Sequence, residues 1–285
     1  MAGYAVLMVV GAIVAAVSAP APPARWERSA PVTTATGLPV AYAVPITFGD
    51  LGPRLVAAGV IDPERFTMAT TGGRSLTADE QRILDGTFDG QFIVDASSAG
   101  FLLNFLWAAG LANDNPVLTS GRMASSGDIG RFAATGGWTV GTRPGAELYA
   151  SIPLVTLSPT QQARLEAVAD AVYRPCCDNP TSFPDCNHGM AMLGLLTVMA
   201  SEDAPENAML DAARWVSALW FPPQAAISGA YSDQADGQDW SSEDPAALLS
   251  RAQFSASGQR KVAAVLASLG VLPDAAGYGA GCSLG

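Results

Sequence analysis

Three of the four cysteines and the only histidine of the chain lie in one short segment, Arg174 to Met192 (RPCCDNPTSFPDCNHGMAM). Thiolate and imidazole groups can together form a tetrahedral site with three sulfurs and one nitrogen. Nearby thioethers make copper a better match than zinc, and iron–sulfur ligation stays open. The candidate metal ligands are Cys176, Cys177, Cys186, His188, Met190, Met192 and, as a replacement ligand from the tail, Cys282.

The spacing of these residues sets conditions on such a site. Asp185 is a suitable N-cap for a helix that begins near Cys186, where the helix dipole favours thiolate. Residues two apart on a helix point to nearly opposite sides. Cys186 and His188 can therefore share an ion only if Cys186 lies at or before the cap. His188 and Met192, four residues apart, share a face.

Disulfide bonding is the main alternative for the same residues. Four cysteines in an exported protein predict two bridges, and Cys177–Cys186 with Cys176–Cys282 is one of three possible pairings. His188 is then an ordinary side chain at a helix N-terminus, and the methionines face the core. Thiol redox catalysis is a third alternative, which the lack of a CxxC motif disfavours. The lack of CxxCH excludes covalent haem attachment through that motif.

The composition argues against two classes of protein. The 285 residues are 49% hydrophobic and only 14% charged, which is not the composition of a disordered chain. The formal net charge of −11 argues against a nucleic-acid partner, which requires a basic face. A single His, a single Lys and no Gly-x-Ser-x-Gly elbow leave open whether the chain is an enzyme.

The amino terminus points to export. Residues 1–19 are uncharged and largely apolar, which predicts a signal peptide or a membrane anchor that can contact another membrane protein. Residues 20–45 are rich in Pro and Ala and read as a linker. We therefore expect a periplasmic or extracellular protein, either membrane-anchored or secreted.

Helical patterns dominate residues 46–272 and predict a mainly α, single irregular helical domain, followed by a Gly-rich tail over 273–285. Capping boxes begin at Thr77 and Ser158. A helix over 96–112, apolar all round and capped by Asp95, should be central. Pro222-Pro223 should end a helix, and Ser232–Glu243 should form an acidic loop. The remaining predicted helices are 186–200, 205–220, 245–252 and 258–269, with at most one helical turn within 113–157.

The cysteine segment, the stretch Ile46–Gly52 (ITFGDLG) and the Gly-rich tail together resemble a family of exported prokaryotic proteins with no assigned activity. The resemblance covers most of residues 45–285. It implies an exported protein and contributes no functional residues.

Two functions remain as hypotheses. The first is an exported, membrane-tethered soft-metal protein, copper favoured, for metal handling or electron transfer. The second is a disulfide-stapled, non-catalytic structural or interaction subunit of a membrane-associated assembly.

Overall fold

A computed structural model of the chain describes residues 31–272. Within that range the protein is mainly helical, as the sequence predicts. The helices are α1 (Leu51–Ala57), α2 (Pro63–Thr71), α3 (Ala78–Asp85), α4 (Ala99–Ala112), α5 (Pro116–Thr119), α6 (Ala133–Gly136), α7 (Gly145–Leu148), α8 (Pro159–Ala171), α9 (Asn187–Ser201), α10 (Glu206–Trp220), α11 (Pro222–Asp236), α12 (Pro245–Leu248), α13 (Arg251–Phe254) and α14 (Ala256–Ser268).

A small antiparallel sheet accompanies the helices. Strands β1 (Val32–Thr33), β2 (Pro39–Ala43) and β3 (Ile93–Asp95) lie in that order, with Tyr42 opposite Val94. Tyr42 is buried, as is Val44 just after β2. Residues 32–43 are therefore part of the folded body, which corrects the linker predicted up to residue 45. The Pro/Ala content concealed a period of two in Tyr42, Val44 and Ile46, all of which are buried.

Helices α4 and α9 form the centre of the molecule. Every residue of α4 except Gly100 is buried, and so is every residue of α9 except Ser201. The two helices touch at facing glycines, because a Cβ on Gly110 would lie 2.1 Å from the carbonyl oxygen of Met190. A Cβ on Gly194 would lie 2.3 Å from that of Leu106. This close packing fixes the position of the α9 N-terminus, where the cysteine segment enters.

Local signals account for most helix starts. Thr77 with Glu80, and Ser158 with Gln161, form the predicted capping boxes of α3 and α8. The helix predicted over 96–112 begins three residues late, because Asp95 accepts hydrogen bonds from the backbone of Ser97 and Ser98 in a turn before α4. The helices α1 and α2 were not predicted, and residues 113–157 contain three short helices, α5, α6 and α7, where at most one helical turn was predicted.

The region after α10 differs most from expectation. Pro222 and Pro223 end α10, but they also occupy the first turn of α11, where proline is well tolerated. Helix α11 runs to Asp236, so the first part of the predicted acidic loop is helical. Gln259 on α14 donates to Ser228 on α11 at 2.7 Å, which links the two helices.

The residues predicted to contact a membrane lie outside the described range. The predicted signal or anchor over 1–19 and the tail with Cys282 both lie there. No helix within residues 31–272 has the length and hydropathy that a bilayer span requires.

Candidate metal centre

The loop between α8 and α9 brings the cysteines together. Its two sides pair at Tyr173 and Pro180, and the backbone N–H of Thr181 donates to the carbonyl of Val172 at 2.8 Å. The chain reverses here because the Asn179-Pro180 and Phe183-Pro184 pairs favour turns. The loop is thus a compact fold-back.

The side chain of Arg174 holds this loop in shape. Only 3% of Arg174 is exposed, and all five of its N–H groups have acceptors. Three acceptors are carbonyl oxygens of the loop, those of Asn179, Pro180 and Phe183, at 2.9–3.0 Å. The fourth is the carboxylate of Asp185, and the fifth is a sulfur.

That sulfur belongs to Cys186, which accepts the Nε–H of Arg174 at 2.9 Å. Cys186 is also the N-cap of α9, and its Sγ accepts the backbone N–H of Gly189 at 3.4 Å. Cys186, and not Asp185, therefore caps the helix. A buried cation and a helix N-terminus both favour the thiolate form of cysteine.

Gly189 is required by this arrangement. A Cβ at residue 189 would lie 2.4 Å from Cζ of Arg174, closer than real atoms approach. The guanidinium therefore packs directly on the first turn of α9. The sequence places a glycine at the one point of that turn where a side chain would displace the arginine.

The three cysteines form one compact group. Their sulfurs all lie within 4.8 Å of one another, and those of Cys176 and Cys186 are 3.4 Å apart. A disulfide bond is about 2.05 Å long, and no two cysteines within residues 31–272 are bonded to one another. The predicted Cys177–Cys186 bridge is therefore not formed in the structure. Cys186 is buried, whereas Cys176 and Cys177 are half-buried.

The electrostatics of the group oppose three simultaneous thiolates. A hydrogen bond with Cys176 lowers the pKa of Cys177, but the hydrogen bond with Cys186 and burial outweigh it and raise that pKa to about 12. Burial alone would lower the pKa of Arg174, yet the adjacent Cys186, Cys177 and Cys176 raise it above its usual value. The arginine thus stays charged, and Cys177 stays a thiol at neutral pH.

The N-terminus of α14 braces the outer side of the loop. The backbone N–H of Ala256 donates to the carbonyl of Cys177 at 2.8 Å, and that of Ser257 donates to the Asp178 carboxylate at 2.7 Å. Both ends of the 174–186 loop are therefore held by helix N-termini. This contact fixes the backbone beside the half-buried cysteines.

The structure does not bring His188 into the sulfur group. Its ring packs on Phe221, with ring centroids 4.3 Å apart, and on Trp220 at 6.0 Å. Burial lowers its pKa to about 4, so the ring is neutral at pH 7, and its Nδ1 has no hydrogen-bond partner. Although Cys186 is at the cap, as sharing an ion would require, the imidazole faces the α10–α11 junction.

Met190 and Met192 are buried in the main hydrophobic core, which runs from Tyr42 to Phe254. Of the seven predicted ligands, the structure therefore groups Cys176, Cys177 and Cys186. Sequence reasoning missed Arg174, and the available signal was a lone arginine next to Pro175 and the cysteine pair.

Comparison of the chain with protein-family models, with curated proteins and with solved structures found no match. The site must therefore be interpreted from its own chemistry.

Proposed function

We propose that this protein binds one Cu(I) ion through Cys176, Cys177 and Cys186 and serves in metal handling or electron transfer. The observation that supports the proposal is the approach of three sulfurs to within 4.8 Å of one another. An ion with three sulfurs in a plane around it, each at about 2.3 Å, requires sulfur separations of about 4 Å. The observed spacing is of that size.

The number of ligands favours copper. Thiolates select Cu(I), zinc and iron–sulfur clusters among the common metals. Structural zinc sites are almost always tetrahedral and need a fourth ligand. Within the described residues no His, Asp or Glu offers a ligand atom within 4.8 Å of all three sulfurs. A soft monovalent ion satisfied by three sulfurs is the better match.

Arg174 supports the same proposal through charge. Three thiolates around Cu(I) carry a net charge of about −2, which is costly to bury without compensation. The guanidinium lies against Cys186 and cannot lose its proton in a protein. It offsets part of that charge, while its four other hydrogen bonds keep it in place.

We propose further that the protein acts outside the cytoplasm. This part rests on the apolar residues 1–19 and on the resemblance to exported proteins. Tethering through that segment would place copper handling at a membrane surface.

A disulfide-stapled structural or interaction subunit is the second candidate. The observation in its favour is the 3.4 Å approach of the Cys176 and Cys186 sulfurs. Rapid alkylation of the protein from its native compartment, with elemental analysis, separates the two. Oxidised cysteines without metal would favour this second candidate.

Titration of the reduced full-length protein with Cu(I), against a chromogenic Cu(I) chelator, tests the proposed function. We expect one equivalent of Cu(I) to bind. Each of the substitutions Cys176→Ser, Cys177→Ser and Cys186→Ser should weaken the binding at least about 100-fold. Ser182→Ala in the same loop and Cys282→Ser should leave the affinity unchanged. Failure of the wild-type protein to compete with the chelator, or dependence on Cys282, would overturn the three-sulfur site.

A further inference from the structure

The Cys176–Cys186 pair has the geometry of an exchangeable dithiol. The two sulfurs are 3.4 Å apart, so forming a bond of about 2.05 Å requires a closure of only about 1.4 Å. Cys186 is held at the α9 N-terminus, and Cys176 lies in the half-buried part of the loop. The movement can therefore come from the Cys176 side chain while the helix stays in place.

The sulfurs of Cys176 and Cys186 differ in their exposure to solvent, which gives them different roles in such an exchange. Only 4% of Cys186 is exposed, so a disulfide from solution cannot reach it directly. Cys176 and Cys177 are both half-buried, so such a molecule can reach either of these two sulfurs. Cys186 has the environment of a resolving thiolate, since it accepts N–H groups from Arg174 and Gly189.

Cys177 has a different environment. Its sulfur lies 3.9 Å from the Asp185 carboxylate and 4.0 Å from the carbonyl of Asn179, both acceptors for an S–H group. These contacts favour the thiol over the thiolate. We therefore assign Cys177 no part in the exchange.

We propose that Cys176 and Cys186 undergo thiol–disulfide exchange with a low-molecular-weight disulfide of the glutathione type. The Cys176 thiolate attacks one sulfur of the external disulfide, forms a mixed disulfide and expels one thiolate. The Cys186 thiolate then attacks the Cys176 sulfur, forms the Cys176–Cys186 bond and expels the second thiolate. The external disulfide gains two electrons, and its two product thiolates take up the two protons that the cysteines release.

The exchange also has a consequence for copper, which rests on the proposed function. Oxidation converts two of the three sulfur ligands into a disulfide, which binds Cu(I) poorly compared with thiolate. The oxidised protein should therefore release its copper.

The test uses reduced, metal-free, full-length protein with Cys282→Ser, treated with oxidised glutathione, alkylated and mapped by mass spectrometry. We expect a Cys176–Cys186 cross-link and an alkylated Cys177. Transfer to excess reduced glutathione should restore the dithiol. A Cys177-containing cross-link, no cross-link, or one that excess reduced glutathione leaves intact would each overturn the proposal.

The variant Cys186→Ser identifies the order of attack. Serine is a good N-cap, so α9 should stay capped, and a circular dichroism spectrum like that of the parent protein checks this. A glutathione adduct should then accumulate on Cys176, while Cys177→Ser should still form the cross-link. Adduct formation mainly on Cys177 would contradict the assignment. If the Cys186→Ser protein does not fold, the parent map and its reversal decide the proposal.

Copper release is measured separately, by adding oxidised glutathione to the copper-loaded protein in the presence of the chelator. A protein that forms the cross-link but does not bind Cu(I) would refute the proposed function and leave the exchange intact. Copper binding without cross-linking would refute the exchange alone.

Discussion

Two loops of this protein are each folded around a buried arginine, and they differ in what the arginine faces. Arg174 organises the 174–186 loop, and Arg214 on α10 organises the segment before α12. Arg214 donates to the carbonyl oxygens of Trp240, Ser241 and Glu243 at 2.9–3.4 Å and pairs with Asp211. Both residues thus hold a loop by its backbone and pair with one carboxylate.

The remaining surroundings separate the two arginines. Arg214 packs over the ring of Trp215 at 4.2 Å, and its Nε has no acceptor. Burial lowers its pKa, and the pairing with Asp211 only partly offsets this. At Arg174 the Nε–H meets a sulfur, and three cysteines raise the pKa despite burial. The comparison indicates that an arginine used only to fold a loop does not need the sulfur group, which therefore calls for a separate explanation.

The largest effect on stability is expected from removing the positive charge of Arg174 or of Arg214. Arg174→Met should cost about 3–5 kcal/mol of unfolding free energy, the usual result of breaking a buried pair. It should also weaken Cu(I) binding by about 10–100-fold, because the buried thiolates lose the positive charge that offsets theirs. Arg214→Met should cost a similar amount by denaturant titration while the folded fraction binds Cu(I) normally. Normal copper affinity in Arg174→Met would remove the distinction between the two loops.

Lowering the pH should destabilise the protein through protonation of His188, which lies in the first turn of α9 close to the sulfur group. Its pKa is about 4 in the folded protein, below the ordinary 6.5, so the unfolded chain binds the extra proton first. The free energy of unfolding should therefore fall by up to about 3 kcal/mol as the pH drops from about 6.5 to about 4. Outside that range the contribution of His188 should not change with pH. His188→Phe, which suits the contact with Phe221, should remove most of this dependence in urea titrations across pH. An unchanged slope in that variant would contradict a buried neutral ring.

Two glycines, one beside Arg174 and one beside the loop that Arg214 holds, give a matched pair of substitutions. Gly189→Ala places a Cβ against Arg174 and should cost about 1–3 kcal/mol, with weaker copper binding. Gly229→Ala lies inside α11, where the nearest atom is Cβ of Trp240 at 3.8 Å, next to the loop that Arg214 holds. It should stabilise the protein by about 0.5–1 kcal/mol, because alanine favours helix over glycine. Thermal melts of both variants measure the two changes in stability. Equal changes would contradict the difference expected between the two loops.

Copper binding should also release a proton. Cys177 keeps its proton up to a pH of about 12 in the metal-free protein, so binding must displace at least one proton near neutrality. The apparent Kd should therefore fall about tenfold for each unit of rising pH between about 6 and 8. Titrations at three pH values check this, and a pH-independent Kd would mean that Cys177 is not a ligand.

The sequence predicted the parts of this structure that depend on neighbouring residues. The boxes Thr77–Glu80 and Ser158–Gln161 cap helices because both partners lie within one turn. The burial of α4 follows from its lack of polar faces, and the two turn pairs of the loop predict the approach of Cys177 and Cys186, which the structure extends to Cys176. The ambiguous case was Pro222-Pro223, since a proline that ends one helix can equally begin the next.

The rest depended on partners far along the chain or on the shape of the loop. His188 faces Trp220 and Phe221, which lie more than thirty positions away, so its spacing from Cys186 could not show its direction. The role of Arg174 depends on three carbonyl oxygens that turn inward, which residue types do not reveal. Both facts change the predicted site from three sulfurs and an imidazole to three sulfurs and an arginine.

X-ray absorption spectroscopy at the copper edge, on full-length protein loaded with one equivalent of Cu(I), determines which atoms bind the ion. We expect a first shell of three sulfur atoms and no imidazole scattering, unchanged in His188→Phe. A nitrogen ligand in that shell, or a sulfur number that does not fall in Cys177→Ser, would contradict the three-sulfur site.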